Sequence, residues 1–200
     1  MSNVRHHGNT MRLRTAIFAI GLAPLAPVVA WAAFKPMRVL APELLGLQCT
    51  ESHVCVDDPA RLVEAVKLRN DAVAFVNDRV GPLGPPPRVV FCSTPECAKS
   101  YGFTSQGAYS VGTIGVAISP RGWHDYFLRH ELIHQVQTQR FGSLNAWLFK
   151  PNWLLEGMAY SLSEDPRRPL PAPLEGWRSH FEGWYSSVGT SKLWQAADAE

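Results

Sequence analysis

The chain has 200 residues, 46% hydrophobic and 18% charged, which fits one globular domain, or one domain with appendages, carrying an apolar segment. Its net charge of +2 comes without a basic tract or an RNA-binding signature, so nothing in the composition asks for a nucleic-acid partner. Seven Trp and sixteen Pro point to an aromatic core with proline-rich connections rather than to low complexity.

From Thr15 to Phe34 the chain carries no charge, and Arg5, Arg12 and Arg14 precede it. That length can just cross a bilayer, with the arginines holding its start in the cytoplasm. Ala30-Trp31-Ala32 also offers a signal-peptidase site, so an uncleaved anchor and a cleaved signal both stay open. Either way residues 1–36 are a membrane anchor or signal, and residues 37–200 form an exported domain, membrane-held or secreted. All four cysteines, Cys49, Cys55, Cys92 and Cys97, follow the apolar segment. Their spacings differ from those of zinc ribbons, and an even count in an exported chain suggests disulfides. Of the three pairings, the local ones, Cys49–Cys55 and Cys92–Cys97, are favoured because short loops close readily.

Asp58-Pro59 opens a helix whose apolar face, Leu62, Val66, Val73, Val76 and Val80, runs to Gly81. Residues 81–87 read as a turn-rich linker, Arg88 to Cys92 as a strand and Pro95 to Tyr101 as a short helix. The β-branched, glycine-punctuated run from Tyr109 to Ile118 reads as one strand or a tight hairpin. From Trp123 to Phe141 there is neither proline nor glycine. Leu128, Leu132 and Val136, with Ile133 beside them, form a core-facing stripe, Ser119-Pro120 or Asp125 can start the helix, and Gly142 stops it.

That helix carries His130-Glu131-Leu132-Ile133-His134, the HExxH pattern of zinc hydrolases. Residues i and i+4 differ by about 40° around a helix axis, so both imidazoles can reach one ion. Glu131 sits roughly 100° from His130, beside the ion, where it can accept a proton from water. The pair lies off the leucine stripe, on a face shared with Phe127 and Phe141. Catalytic zinc usually keeps three protein ligands. The next candidate is Glu156, on a second helix expected to return, after a loop, antiparallel to the first, burying Leu154, Leu155, Met158 and Leu162. His124, Glu164, Asp165 and Glu175 are weaker ligand candidates. Asp165 to Pro173 reads as a stiff extended loop, and Leu174, Trp177, Phe181, Trp184 and Val188 mark a last helix. Helices around a few strands make the chain α+β.

HELIH followed by Trp153-Leu154-Leu155-Glu156-Gly157-Met158-Ala159 resembles the gluzincin metallopeptidases, whose aminopeptidase branch carries a WLxEGxA string. The resemblance covers residues 107–165. The gap between the motifs is a few residues longer than in the aminopeptidases and no GxMEN exopeptidase motif stands upstream, so the likeness is to minimal single-domain members. It implies a zincin-like fold with one zinc ion per chain, held by His130, His134 and Glu156, and Glu131 as general base and proton shuttle. It also implies an edge strand at 111–118, against which a peptide or protein substrate lies by strand addition. Tyr160, His180 and Tyr185 are candidates for a further donor to the developing oxyanion. Two other readings remain: a deformylase-type hydrolase with a cysteine, Cys97 being nearest, as third ligand, and a non-catalytic envelope protein whose zinc clamps two helices.

Overall fold

A computed structural model describes residue 31 and residues 33–200. The anchor or signal expected over residues 15–34 therefore lies almost wholly outside the described residues, and among these no helix is long and apolar enough to cross a membrane.

The domain is α+β, built on a five-stranded mixed sheet. Its strands are β1 (Gln48–Cys49), β2 (Val54–Val56), β3 (Arg88–Phe91), β4 (Ala108–Val111) and β5 (Gly115–Ile118), in the order β1-β2-β3-β5-β4. β2, β3 and β5 run parallel, while β1 and β4 are antiparallel edge strands. Strands buried on both faces need apolar side chains at every position, and Val54-Cys55-Val56, Val89-Val90-Phe91 and Val116-Ala117-Ile118 supply them. The period-two alternation then divides them between two cores. Val54, Val56, Val89, Phe91, Val116 and Ile118 join the larger core under the helices, and Cys55, Val90 and Ala117 join a smaller one with Val39 and Tyr101.

Seven helices are described: α1 (Leu62–Arg79), α2 (Pro95–Ser100), α3 (Asp125–Phe141), α4 (Ser143–Phe149), α5 (Asn152–Leu162), α6 (Leu174–Val188) and α7 (Leu193–Ala199). α3 buries the expected stripe, with Leu128, Leu132, Ile133 and Val136 all at 0% exposure. It packs against α1 and α5, and α5 against α6. His124, at the N-cap of α3, makes no side-chain cap, but Asp125 Oδ1 accepts from the Tyr126 N–H at 3.0 Å in the first turn, while Ser119-Pro120 opens a separate 3-10 turn. Gly142 ends α3 at φ 79°, a left-handed conformation that lets α4 begin at the next residue. Asp57, just after β2, accepts hydrogen bonds from the Ser93 and Thr94 N–H groups and the Thr94 hydroxyl at the start of α2. Burial pushes its carboxyl up, but these bonds outweigh burial and hold it below the ordinary carboxylate range.

Four expectations need correction. The Tyr109–Ile118 segment is a hairpin, and its outer strand is Ala108–Val111; Gly115–Ile118 lies inside the sheet, between β3 and β4. The connection from α3 to α5 holds the short helix α4 in place of a plain loop. Phe141, about two turns beyond His134, does not line the cleft but is buried in the larger core against Trp194, with ring centroids 5.8 Å apart. On α6 only Phe181 of the expected apolar stripe is fully buried, and Arg178, outside that stripe, is buried with it.

Candidate metal centre

The helical period puts His130 and His134 on one side of α3, with ring centroids 4.7 Å apart and planes nearly perpendicular. Their Nε2 atoms lie 3.1 Å apart. Glu156, in the first turns of α5, brings Oε2 to 3.5 Å from His130 Nε2 and Oε1 to 3.6 Å from His134 Nε2. Two donors on a tetrahedral zinc with ~2.0–2.1 Å bonds lie about 3.3–3.4 Å apart. The observed separations lie close to that edge, the two to Glu156 being to different oxygens of its carboxylate, so the donor set has the right size for one ion.

The protonation pattern favours a cation as well. Gln137 Nε2 donates to the Leu155 carbonyl at 2.9 Å, which fixes the orientation of its amide. Its Oε1 then faces His134 Nδ1 at 2.8 Å and must accept the ring proton. In the neutral ring Nε2 is left as a lone pair facing the other two donors. His130 Nδ1 is buried and makes no hydrogen bond among the described residues. Burial pushes the Glu156 carboxyl up, but hydrogen bonding to His130 and the charges that the two imidazoles carry when protonated prevail and hold it at about 2. A cation at the site takes over the role of those ring charges once the rings are neutral.

Glu131 is 7% exposed. Burial pushes its carboxyl up to about 7, against the opposing pull of His134 and of hydrogen bonds from the Ser110 hydroxyl and N–H. A carboxyl poised near neutrality suits proton exchange. The Ser110 contact also ties α3 to the sheet edge, as does the hydrogen bond from Gln135 to the Gly112 carbonyl. Antiparallel pairs alternate in bonding, and Ser119 N–H donates to the Gly107 carbonyl at 2.8 Å across the hairpin. By that parity Tyr109 and Val111 bond to β5, whereas the backbone groups of Ala108 and Ser110 point off the sheet. An open cavity of about 420 Å³ runs along this edge, with Gly107 to Ser110 on one wall and His130, Glu131, His134 and Glu156 on another. Phe127, Tyr160, Arg121 and Arg167 complete it.

Of the proposed oxyanion donors, Tyr160 lines the cavity, its ring centroid 4.4 Å from that of His130. The other two lie elsewhere. His180 is exposed and stacks on Trp153 at 4.2 Å, and the Tyr185 hydroxyl bonds Thr190 while its ring stacks on Phe181. Among the weaker ligand candidates, His124 stacks on Tyr126, Glu164 approaches Arg129, and Asp165 and Glu175 pair with Arg167 and Arg178. The cysteines form the two local disulfides, Cys49–Cys55 and Cys92–Cys97. Cys97 therefore offers no thiolate, which removes the cysteine-ligand reading. The Cys49–Cys55 disulfide likewise disqualifies a second cluster of potential donors, Glu43, Cys49 and Cys55.

Sequence reasoning missed Ser110, Gln137, Arg121 and Arg167. Gln137, three residues after His134 on the same helix, is the one whose spacing alone pointed to contact. Comparison with protein-family models, curated proteins and solved structures returns no match for this chain.

Proposed function

We propose that the chain is a zinc-dependent hydrolase of gluzincin type that cleaves peptide bonds outside the cytoplasm. The observation that carries the reading is the donor triangle of His130, His134 and Glu156 with the buried carboxyl of Glu131 directly beside it. When bound, zinc supplies Lewis acidity, making water nucleophilic at neutral pH and polarising a carbonyl.

The chain's own residues supply the rest. Glu131 takes a proton from the attacking water and returns it to the leaving amine, work that contributes typically about 10²–10⁴-fold. The outward backbone groups of β4 other than the Ser110 N–H, which bonds Glu131, hold an extended peptide across the cavity by main-chain hydrogen bonds. Tyr160 stands next to His130, where its hydroxyl can donate to the oxyanion; burial and the nearby Glu156 charge keep it protonated by pushing it up to about 12. Two disulfides and the uncharged N-terminal stretch support an exported location, anchored or secreted.

The purified protein should carry one zinc per chain by elemental mass spectrometry, and Glu156→Ala should lose it. Glu131→Gln should keep the metal and lose peptide hydrolysis by at least about 10²-fold. Hydrolysis that survives Glu131→Gln would refute the assigned base. A parent with stoichiometric zinc and no hydrolysis of any peptide would favour the clamp, since the donors bridge two separate helices.

A further inference from the structure

Arg167 stands in the cavity wall, in the extended loop between α5 and α6. Its guanidinium is held from behind. Asp165, 4% exposed, accepts from Arg167 N–H, from Nε at 2.9 Å and from Nη2 at 2.5 Å. The loop itself is fixed from below by Arg178, which at 0% exposure donates to the Asp165 and Arg167 carbonyls and to Glu175. The rings of Phe127 and Tyr126 lie 4.5 and 5.3 Å from the guanidinium carbon and restrict its other rotamers. Nη1 makes no hydrogen bond among the described residues. A planar, always charged donor group, rigidly presented with one nitrogen unspent, suits recognition of a carboxylate.

We propose that Arg167 binds a carboxylate of the substrate, so that the enzyme prefers peptides bearing an acidic group close to the cleaved bond; this rests on the peptidase reading. Charge agrees with it. Arg121 and Arg167 offset Glu131 and Glu156 in the cavity wall, so a divalent cation at the donor triangle leaves the wall positive. Distance limits where the acid sits. The guanidinium carbon is 6.0 Å from the Tyr160 ring centroid, which is 4.4 Å from that of His130, so the charge lies at most about 10 Å from the centre of the His130 ring. Extended peptide covers ~3.3–3.6 Å per residue, so the carboxylate lies no more than about three residues from the reacting carbonyl. It is either the C-terminal carboxylate or an Asp or Glu side chain in that span.

Carboxylates also ligate zinc, so the test starts with chelator-treated protein. The probes are N-acetyl-trialanine with a free carboxylate, its C-terminal amide, and N-acetyl-Ala-Glu-Ala amide, titrated by calorimetry. One of the two acids should bind at least tenfold more tightly than the neutral amide, and which acid does so identifies the source. Arg167→Met should abolish that preference. Because this change leaves Asp165 buried without its cation, Asp165→Asn/Arg167→Met is measured beside it, and Arg167→Lys should keep only part of the preference. Acids and amide titrating alike, absent binding of both acids included, would overturn the proposal. So would a preference that survives in both methionine variants while they stay folded, the result expected of a mere loop staple. Cleavage of quenched peptides by the zinc-loaded parent is scored separately: no cleavage of any peptide counts against the peptidase reading, whereas cleavage indifferent to the acid counts against Arg167.

Discussion

At the scale of single residues, a side chain outside the donor triangle sets the state of one inside it. Gln137 reads the Leu155 carbonyl, next to Glu156 on α5, and passes its orientation to His134 on α3. One amide therefore ties together the two helices that carry the proposed metal donors and selects the His134 tautomer whose Nε2 lone pair faces Glu156. Gln137→Leu removes both hydrogen bonds while roughly keeping volume at a position that is 1% exposed. It should weaken zinc binding about 10–100-fold, the usual cost of losing such a partner, measured by competition with a chromogenic chelator. Unaltered affinity would show that the His134 ring is held by packing alone. The convergence of His130 and His134 was legible because the helical period fixes their common direction, and Glu156 was picked out by residue type on the next long helix. The partner of Gln137 was not, since the carbonyl it reads belongs to another helix. Arg167 was hidden more deeply: a charged residue in a proline-rich loop looks the same whether it faces solvent or a cavity.

At the scale of elements, the packing of α5 on α6 places Glu156, and Gly157 permits it. A Cβ at Gly157 would lie 2.4 Å from the Trp177 carbonyl oxygen and 2.8 Å from Phe181 Cβ. Neither is the end of a flexible side chain, so the helices would have to part. Gly157→Ala gains up to about 1 kcal/mol of helix propensity. Overpacking of this kind costs typically about 1–3 kcal/mol, and backbone contact places the cost at the upper end. The expected outcome is a melting temperature lowered by several degrees together with weaker zinc binding, because the displaced turn carries Glu156. A variant as stable as the parent, with full metal affinity, would mean that α6 yields freely. Element types followed from periodicity for α1, α3, α5, α6 and β3. What periodicity missed was neighbourhood. The Tyr109–Ile118 run reads as extended whichever half is outermost, and only the distant pairing of Arg88–Phe91 with Gly115–Ile118 sends the other half to the edge.

At the scale of the whole molecule, the sheet separates two layers with different means of support. The donor triangle belongs to the helical side, above the larger core. The smaller layer has few apolar residues, chiefly Val39, Val90, Tyr101 and Ala117, and both disulfides lie in or against it. A layer that thin draws its order from cross-links, and each disulfide closes a loop with a sequence separation of only 6 or 5. Chain-entropy arithmetic for loops that short gives about 2 kcal/mol apiece. At roughly 2–4 °C per kcal/mol for a chain of this size, replacing both pairs by serine should lower the melting temperature by roughly 8–16 °C in calorimetry. Metal stoichiometry should be one per chain at temperatures below the new transition, because the cysteines belong to the smaller layer and the donor triangle to the other. Loss of zinc in the folded serine variants would show that the two layers are coupled through β3 and β5 and that the metal centre depends on an oxidising compartment. Retention would mean that oxidation secures the scaffold, whereas the metal donors are held by helix packing alone.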